Sequence, residues 1–149
     1  MSLLEIIKSD MIQAMKTKDS FQLGVIRMVK GAIQLEEINK KKELDDSDVI
    51  DIISKQIKLR KDAIGEFKKA NRDDLVSQNE KEIELLNKYM PKQLTNEEID
   101  KIIEEVFVSV NPTSMKDLGT IMKNITPLLK GKADISAVNS KIREKLSNL

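Results

Sequence analysis

The chain of 149 residues contains no cysteine, no histidine and no tryptophan. Without cysteine and histidine there is no Cys/His zinc site, no Ser-His-Asp triad and no thiol nucleophile or redox centre. What is left is chemistry by carboxylates and hydroxyls, or binding without chemistry. We predict no catalytic residue, no metal site and no cofactor. Because reduced compartments rarely hold disulfides, the lack of cysteine also favours a cytoplasmic location.

Aromatic residues are few, namely Phe21, Phe67, Tyr89 and Phe107. An RNA-binding sheet or an OB-type barrel stacks bases on several aromatic rings, so neither fold is expected. The longest uninterrupted apolar run is Val106 to Val108, which is too short to span a membrane. The N-terminal residues lack the basic-then-apolar pattern of a secretory signal. We therefore expect no membrane partner.

Every long segment shows a helical period, and none alternates as a strand would. Four helices are predicted before about residue 92: from Leu3 to near Lys18, from Ser20 to Lys40, from a cap at Asp46 or Ser47 to about Ala70, and from Asn71 to Tyr89. In the second of them, Gly24 and Gly31 weaken the helix and are expected to permit close packing.

Pro91 ends the fourth helix, and a second unit begins at Leu94. Three shorter helices are predicted there: from Thr95, with capping-box spacing to Glu98, to Val110; from Ser114 to a stop at Pro127 and Gly131; and from Asp134 or Ser136 onward. The predicted fold is all-α, with an N-terminal four-helix domain over residues 1–92 and a three-helix C-terminal domain over residues 93–149.

The formal net charge of +1, from 26 basic and 25 acidic residues, conceals local sorting. Residues 93–112 hold five acidic residues against one lysine, a net charge of −4. Residues 113–149 hold seven basic against three acidic residues, a net charge of +4, and residues 55–72 hold seven against two, a net charge of +5. Two basic regions and one acidic region are therefore candidates for binding.

The third predicted helix carries a basic stripe. Helical projection at about 100° per residue places five basic side chains on one side: Lys58, Lys61, Lys68, Lys69 and Arg72. Such a stripe can follow a phosphate backbone. The alternative interpretation is a solvated face with no ligand.

Three charged residues fall on apolar helix faces, namely Glu36, Arg60 and Glu82. A buried charge is tolerated only when it is paired. We predict a structural ion pair in which Arg60 crosses between helices to Glu36, to Glu82 or to both. A catalytic or di-metal carboxylate site is the alternative, but such sites use Glu-x-x-His pairs and this chain has no histidine.

The most distinctive local sequence is Lys130-Gly131-Lys132, just before the predicted last helix. Backbone N–H groups at a helix N-terminus, together with lysines, suit a phosphate. The sequence is not a P-loop, because the spacing to an earlier glycine and the following Ser or Thr are missing. Lys116 and Lys123 lie seven residues apart on the polar face of the preceding predicted helix and would extend the patch. An ordinary glycine turn with solvated lysines is the alternative.

Six stretches in colinear order resemble the YqeY family: LGVIRMVKGAI at 23–33, IKLRKDAI at 57–64, NRDDL at 71–75, YMPKQL at 89–94, MKDLG at 115–119 with Met122, and KGKAD at 130–134. The resemblance runs along the whole chain. The C-terminal part also resembles the tail of the B subunit of the tRNA-dependent amidotransferase. That complex converts Glu or Asp misacylated on a tRNA into the amide.

The resemblance implies that the tail region grips the tRNA body, whereas the amidase and nucleotide-binding parts of the amidotransferase have no counterpart in these 149 residues. The tail motif corresponds in this chain to Lys116, Gly119, Met122, Lys130, Gly131, Lys132, Ala133 and Asp134. At one position the chain departs from the family, which usually has glycine where Ile135 stands. The last helix is therefore expected to begin one residue differently.

The leading hypothesis is a tRNA-binding or amidotransferase-associated accessory protein without an active site of its own. Its expected partners are tRNA and either amidotransferase subunits or an aminoacyl-tRNA synthetase, with no DNA specificity. One alternative is a component of a carbon–nitrogen ligase that uses glutamine as amide donor and is active only in a complex. Another is a helical adaptor that docks a protein on acidic residues 93–112.

Overall fold

The computed structural model describes residues 1–149 and contains helices but no strand, which confirms the all-α prediction. The seven α-helices are α1 (Leu3–Lys16), α2 (Ser20–Lys40), α3 (Asp46–Lys69), α4 (Asp73–Asn87), α5 (Asn96–Val110), α6 (Leu118–Leu129) and α7 (Ile135–Ser147). A short 3-10 helix, Met115–Asp117, precedes α6. None of the helices combines the length and the apolar character needed to cross a membrane.

The chain divides into two compact units, Met1–Met90 and Pro91–Leu149, called here the N-terminal and C-terminal units. Each has a core built from the apolar stripes of its own helices. The core of the N-terminal unit includes Ile7, Val25, Ile26, Val29, Ile33, Val49, Ile53 and Leu86. The core of the C-terminal unit includes Ile99, Ile103, Phe107, Ile121, Ile125, Leu129, Val138, Ile142 and Leu146.

Helix α3 begins one residue before the predicted caps, because Asp45 and not Asp46 or Ser47 is the N-cap. The Asp48 N–H donates to the Asp45 carboxylate at 2.9 Å, and the Asp45 N–H donates back to Asp48 at 3.3 Å. This reciprocal capping box requires an acid three residues after the cap, which selects Asp45. Asp46 instead accepts a hydrogen bond from the N–H of Leu3 at 2.8 Å, joining the starts of α1 and α3.

The junction between α3 and α4 also differs from the prediction that a helix starts at Asn71. Asn71 has φ of 56°, in the left-handed region, and therefore cannot be the first residue of a right-handed helix. The Arg72 N–H donates to the carbonyl of Phe67 at 2.9 Å and closes the end of α3. Helix α4 then begins at Asp73 and ends at Asn87, two residues before the predicted end.

Of the two residues predicted to end α6, Gly131 follows the C-cap Lys130 with φ of 74°, whereas Pro127 does not end the helix. The helix continues to Leu129, with Pro127 inside it. A proline removes one backbone hydrogen bond and crowds the preceding turn. Leu129 is fully buried in the C-terminal core, and this burial offsets the cost of two further helical residues.

No neighbour packs closely on Gly24 or Gly31 within the chain, contrary to the prediction. A Cβ built on either glycine meets no atom within 4 Å. Met28, expected on the apolar side of α2, is 54% exposed. The core-facing side of α2 is instead formed by Val25, Ile26, Val29 and Ile33.

Candidate nucleic-acid interface

The loop between α6 and α7 is held in one conformation by backbone hydrogen bonds. Gly131 has φ of 74°, which a residue with a side chain rarely adopts. The Lys132 N–H donates to the carbonyl of Leu129 at 2.8 Å, and the Lys132 carbonyl accepts from the N–H of Leu94 at 2.9 Å. The Gln93 side-chain amide donates to the Gly131 carbonyl at 2.7 Å. Residues 93 and 94, at the start of the C-terminal unit, therefore hold this loop through two hydrogen bonds.

Two of the backbone N–H groups in the region expected to bind a phosphate are engaged within the protein. The Lys132 N–H is already donated to Leu129. The N-terminus of α7 is capped by Asp134, whose carboxylate accepts from the N–H of Ser136 at 3.0 Å. A negative charge thus already lies where an anion would bind. The N–H groups of Lys132 and Ser136 are therefore not available to a phosphate.

Basic side chains do follow α6 along its length, and we call them the C-terminal lysine row: Lys116, Lys123, Lys130 and Lys132. Lys116, Lys123 and Lys132 are exposed and form no ion pair. Lys130 is half-buried at the C-cap of α6, two helical turns after Lys123. With 12 residues at about 1.5 Å each, α6 is roughly 18 Å long, so the row is extended and does not form a single pocket.

Lys116 lies in the 3-10 helix before α6, and not on α6 itself as predicted. Asp117 fixes this turn by accepting hydrogen bonds from the N–H of Thr113 at 2.8 Å and of Ser114 at 3.3 Å. The two backbone donors lower the pKa of Asp117, so this carboxylate stays ionised beside Lys116. Part of the positive charge at this end of the row is therefore balanced locally.

Two further lysines of the basic C-terminal region are engaged within the unit. The Lys141 ammonium lies 3.2 Å from the Asp100 carboxylate. The Lys145 ammonium lies 4.7 Å from the centre of the Phe107 ring, a cation–π contact. The charge count alone could not show these contacts, because both join α7 to residues about 40 positions earlier in α5.

A cleft of about 230 Å³ lies beside Lys132. Its walls combine apolar and charged side chains: Leu94, Ile99, Lys132, Asp134, Val138 and Lys141. Sequence reasoning missed this cleft because it is assembled from two separated segments, residues 93–99 and 132–141. No group of three or more Asp, Glu, His or Cys residues is arranged to hold a metal ion.

The stripe predicted on the third helix is shorter than the projection indicated. Lys58, Lys61 and Lys68 are exposed on α3 and form no ion pair, whereas Lys69 lies 3.5 Å from Glu66. Arg72 is not on α3, because the left-handed residue before it ends the helix.

Arg72 also forms an ion pair, with Asp74. Its guanidinium donates two hydrogen bonds to the Asp74 carboxylate, at 3.2 Å from Nε and 3.1 Å from Nη2. These bonds lower the pKa of Asp74 and raise that of Arg72. This pair balances the charge of Arg72, although its side chain is 56% exposed. The stripe that remains accessible is Lys58, Lys61 and Lys68.

Arg60 is buried in the N-terminal unit, where its side chain is 7% exposed. Its Nε lies 3.8 Å from the Glu82 carboxylate, and its Nη1 donates to the backbone carbonyl and side-chain oxygen of Gln56 at 3.0 and 2.9 Å. Glu36 does not approach Arg60 and instead lies 3.5 Å from Lys40. The structure therefore places Glu82, and not Glu36, opposite Arg60.

A second polar contact in this unit was not predicted. The hydroxyl of Tyr89 donates to the Asp10 carboxylate at 2.5 Å, joining the end of the N-terminal unit to α1. Burial and the adjacent carboxylate raise the pKa of Tyr89. A lone tyrosine in a helical pattern reads as an ordinary core residue, and its partner is 79 positions away. The sequence therefore contained no signal for this pair.

Several curated proteins named "Altered inheritance of mitochondria protein 41, mitochondrial" are similar to this chain. The one from Vanderwaltozyma polyspora is 29% identical over 150 residues, covering 96% of this chain and 81% of the relative. The one from Saccharomyces cerevisiae (strain YJM789) is 37% identical over 98 residues, covering 65% and 53%. The one from Kluyveromyces lactis is 35% identical over 107 residues, covering 70% and 58%. The latter two alignments span little more than half of the relatives' lengths.

These names correct the predicted cytoplasmic location, because they point to mitochondria. The prediction was based on the absence of cysteine, which excludes disulfides but does not distinguish one reducing compartment from another. The family itself is established by a more extensive match. The model described as "Yqey-like protein" matches residues 4–146, nearly the whole chain, and confirms the predicted resemblance: the protein belongs to the YqeY family.

Proposed function

We propose that the protein is a tRNA-binding accessory protein of amidotransferase type with no active site of its own. The observation that carries this proposal is the C-terminal lysine row along α6, in which Lys116, Lys123 and Lys132 are exposed and unpaired. The net charge of +4 over residues 113–149 gives the row a long-range attraction for a polyanion. The resemblance of this region to the tRNA-gripping tail of the amidotransferase B subunit supports the same ligand.

The geometry of the row favours an extended backbone over a single phosphate group. The lysines follow a helix of roughly 18 Å, while the backbone N–H groups of Lys132 and Ser136 are already bound. Separate point charges along a line suit successive phosphates of a folded RNA, which is recognised mostly by shape and backbone. Such contacts carry little base specificity, so DNA sequence recognition is not part of the proposal.

The accessible stripe on α3, formed by Lys58, Lys61 and Lys68, is proposed as a second contact with the same tRNA. All three side chains are exposed and none is in an ion pair. Their contribution is expected to be additive and electrostatic. We propose amidotransferase subunits or an aminoacyl-tRNA synthetase as protein partners, since an accessory protein without its own chemistry acts beside an enzyme that handles the same tRNA.

Binding of a fluorescently labelled total tRNA fraction, measured by anisotropy over a series of salt concentrations, tests the proposal. The variant Lys123→Glu/Lys132→Glu is expected to bind at least about tenfold more weakly and to reduce the slope of log affinity against log salt by roughly 1–2, because each lost phosphate contact releases about one counterion fewer. Lys101→Glu is the control, with the charge change of one of these two substitutions at an exposed position of α5 in the same unit. Its affinity should stay close to that of the unaltered protein.

Equal affinity and equal salt slope for the double variant and the unaltered protein would exclude the lysine row as the tRNA site. Failure of the unaltered protein to bind tRNA at low salt would exclude the function itself. Glutamine-dependent amide transfer by the purified chain alone would instead favour the alternative that it is part of a carbon–nitrogen ligase.

A further inference from the structure

Helix α2 has a second apolar face that points away from the core. Six positions along it follow the a/d spacing of a heptad repeat: Phe21, Gly24, Met28, Gly31, Leu35 and Ile38. We call this set the α2 seam. Its four large side chains are 40%, 54%, 60% and 71% exposed, in chain order. Burying apolar side chains of this size against another surface would be favourable.

One polar contact reaches the seam from within the N-terminal unit: Nη2 of the buried Arg60 donates to the Sδ of Met28 at 3.7 Å. Both glycines face open space for at least 4 Å around a Cβ. The core-facing residues of α2, such as Val29 and Ile33, are 2% exposed and lie on a different side of the helix. Apart from this contact at Met28, the N-terminal unit is packed without the seam, and the exposed side of the seam is able to bind another molecule.

Large and small residues are arranged in the seam so that it is complementary to itself when two copies run antiparallel. If Phe21 of one copy lies opposite Ile38 of the other, Gly24 lies opposite Leu35 and Met28 lies opposite Gly31. Each glycine then receives a large side chain from the other helix, as a hole receives a knob. The same three pairs occur again, with the two copies exchanged, on the other side of the point midway between Met28 and Gly31. This is the two-fold symmetry of an isologous dimer.

The charged residues beside the seam agree with this register. Arg27 of one copy comes next to Gln34 of the other, and Lys41 comes next to Ser20, so no two like charges face each other. A parallel pairing would place Met28 on Met28 and Gly31 on Gly31, alternating crowded layers with voids. The antiparallel pairing fills every layer.

We propose that the α2 seam binds the α2 seam of a second copy of this chain in an antiparallel, two-fold symmetric dimer. The proposal concerns a surface other than the lysine row and does not depend on tRNA binding. The dimer is expected to form in the absence of RNA, because apolar burial and steric fit drive it.

Disulfide cross-linking tests both the contact and its direction. The natural chain has no cysteine, so each introduced thiol is unique. The single variants Met28→Cys and Gly31→Cys should form little cross-linked dimer alone and should cross-link efficiently when mixed, because residue 28 of one copy lies opposite residue 31 of the other. Lys30→Cys, on another side of α2, is the control and should not cross-link with either variant. Efficient cross-linking of each single variant with itself would overturn the antiparallel register.

Sedimentation equilibrium of the cysteine-free chain supplies an independent measurement. Gly31→Met places two methionines opposite each other and should raise the dimer dissociation constant at least about tenfold, while the open space around Gly31 lets the monomer fold. The exchanged pair Met28→Gly/Gly31→Met restores one large and one small residue in that layer and should regain most of the loss. A monomer at every concentration, or an exchanged pair that dimerises no better than Gly31→Met, would overturn the proposal.

Discussion

The two units of this protein distribute polar and apolar groups in opposite ways. The N-terminal unit buries a charged residue, Arg60, and leaves a row of large apolar side chains exposed along α2. The C-terminal unit buries only apolar side chains and carries exposed lysines along α6. Both units have an ordinary apolar core, so they differ in the side chains that each exposes: apolar ones along α2 and lysines along α6.

This contrast indicates that the two surfaces suit different ligands. An exposed apolar seam is stabilised by covering it with another apolar surface, which favours a protein partner. Exposed lysines without counter-charges are stabilised by an anionic partner, which favours a phosphate backbone. A net charge of +1 averaged over the chain hides both tendencies.

Replacing Arg60 by leucine should have the largest effect, since it removes the buried charge that distinguishes the N-terminal core. The Glu82 carboxylate, whose side chain is 13% exposed, would lose the charge that lies 3.8 Å from it. Loss of one partner of such a pair costs about 3 kcal/mol of the free energy of unfolding. Urea denaturation followed by circular dichroism measures the change.

Two variants sharpen this test. Adding Glu82→Leu to Arg60→Leu should recover most of the lost stability, because no unpaired charge stays buried. Lys69→Leu removes one partner of the Lys69–Glu66 pair, in which both side chains are 77% exposed, and should cost no more than about 0.5 kcal/mol. An unchanged unfolding midpoint for Arg60→Leu would contradict the structural role of the pair.

An intermediate effect is expected from Tyr89→Phe, which removes the hydrogen bond to Asp10. A hydrogen bond to a charged group that is partly buried contributes about 1.5 kcal/mol at neutral pH. Because burial and Asp10 raise the pKa of Tyr89 above its ordinary value of 10.0, this contribution is present below pH 10 and is lost as pH rises through the raised pKa. Tyr89→Phe should abolish that component of the alkaline loss of stability.

Tyr89 is the one tyrosine in the chain, so the absorbance of its phenolate reports this group alone. Titration of the folded protein should give a midpoint above that of the urea-unfolded protein. Equal midpoints in the two states would show that the hydrogen bond to Asp10 does not persist in solution.

The smallest effects should come from replacing one glycine in each unit by alanine, and they should have opposite signs. Gly65 is exposed on α3 of the N-terminal unit, and no atom lies within 4 Å of a Cβ added there. Gly65→Ala should therefore stabilise the helix by about 0.8 kcal/mol. Gly131 has φ of 74° in the loop of the lysine row, so Gly131→Ala should destabilise by about 1 kcal/mol. Thermal unfolding of both variants checks the signs, and stabilisation by Gly131→Ala would contradict the loop geometry.

Periodicity located the bodies of the helices and failed at their ends. The bounds of α2, Ser20 and Lys40, were predicted to the residue. The start of α3 was wrong by one residue and the start of α4 by two, because single hydrogen bonds at Asp45 and a left-handed Asn71 decide them. The helical period is a pattern averaged over many residues. A helix end, by contrast, depends on one or two local hydrogen bonds, and neighbouring residues can form such bonds about equally well.

In the candidate site, too, the sequence predicted the residue types but not the contacts that each residue makes. The lysines of the row were found from the sequence, since charge is read directly from residue type. The capping of α7 by Asp134 was not predicted to occupy the N–H of Ser136, because that bond depends on how the Asp134 carboxylate turns. The apolar neighbours of Arg60 showed that it is buried, but two carboxylates were candidates for its partner and only the packing of α3 on α4 selected Glu82.

The sequence by itself therefore determined the helical fold class, the sorting of charge between regions and the family. These follow from residue type and spacing, which are local properties that repeat along the chain. Only the tertiary structure decided which lysines are engaged, which carboxylate lies opposite Arg60 and which apolar residues of α2 stay exposed. Those depend on which helix packs beside each side chain, and the contacts involved join residues tens of positions apart, beyond the reach of any local pattern.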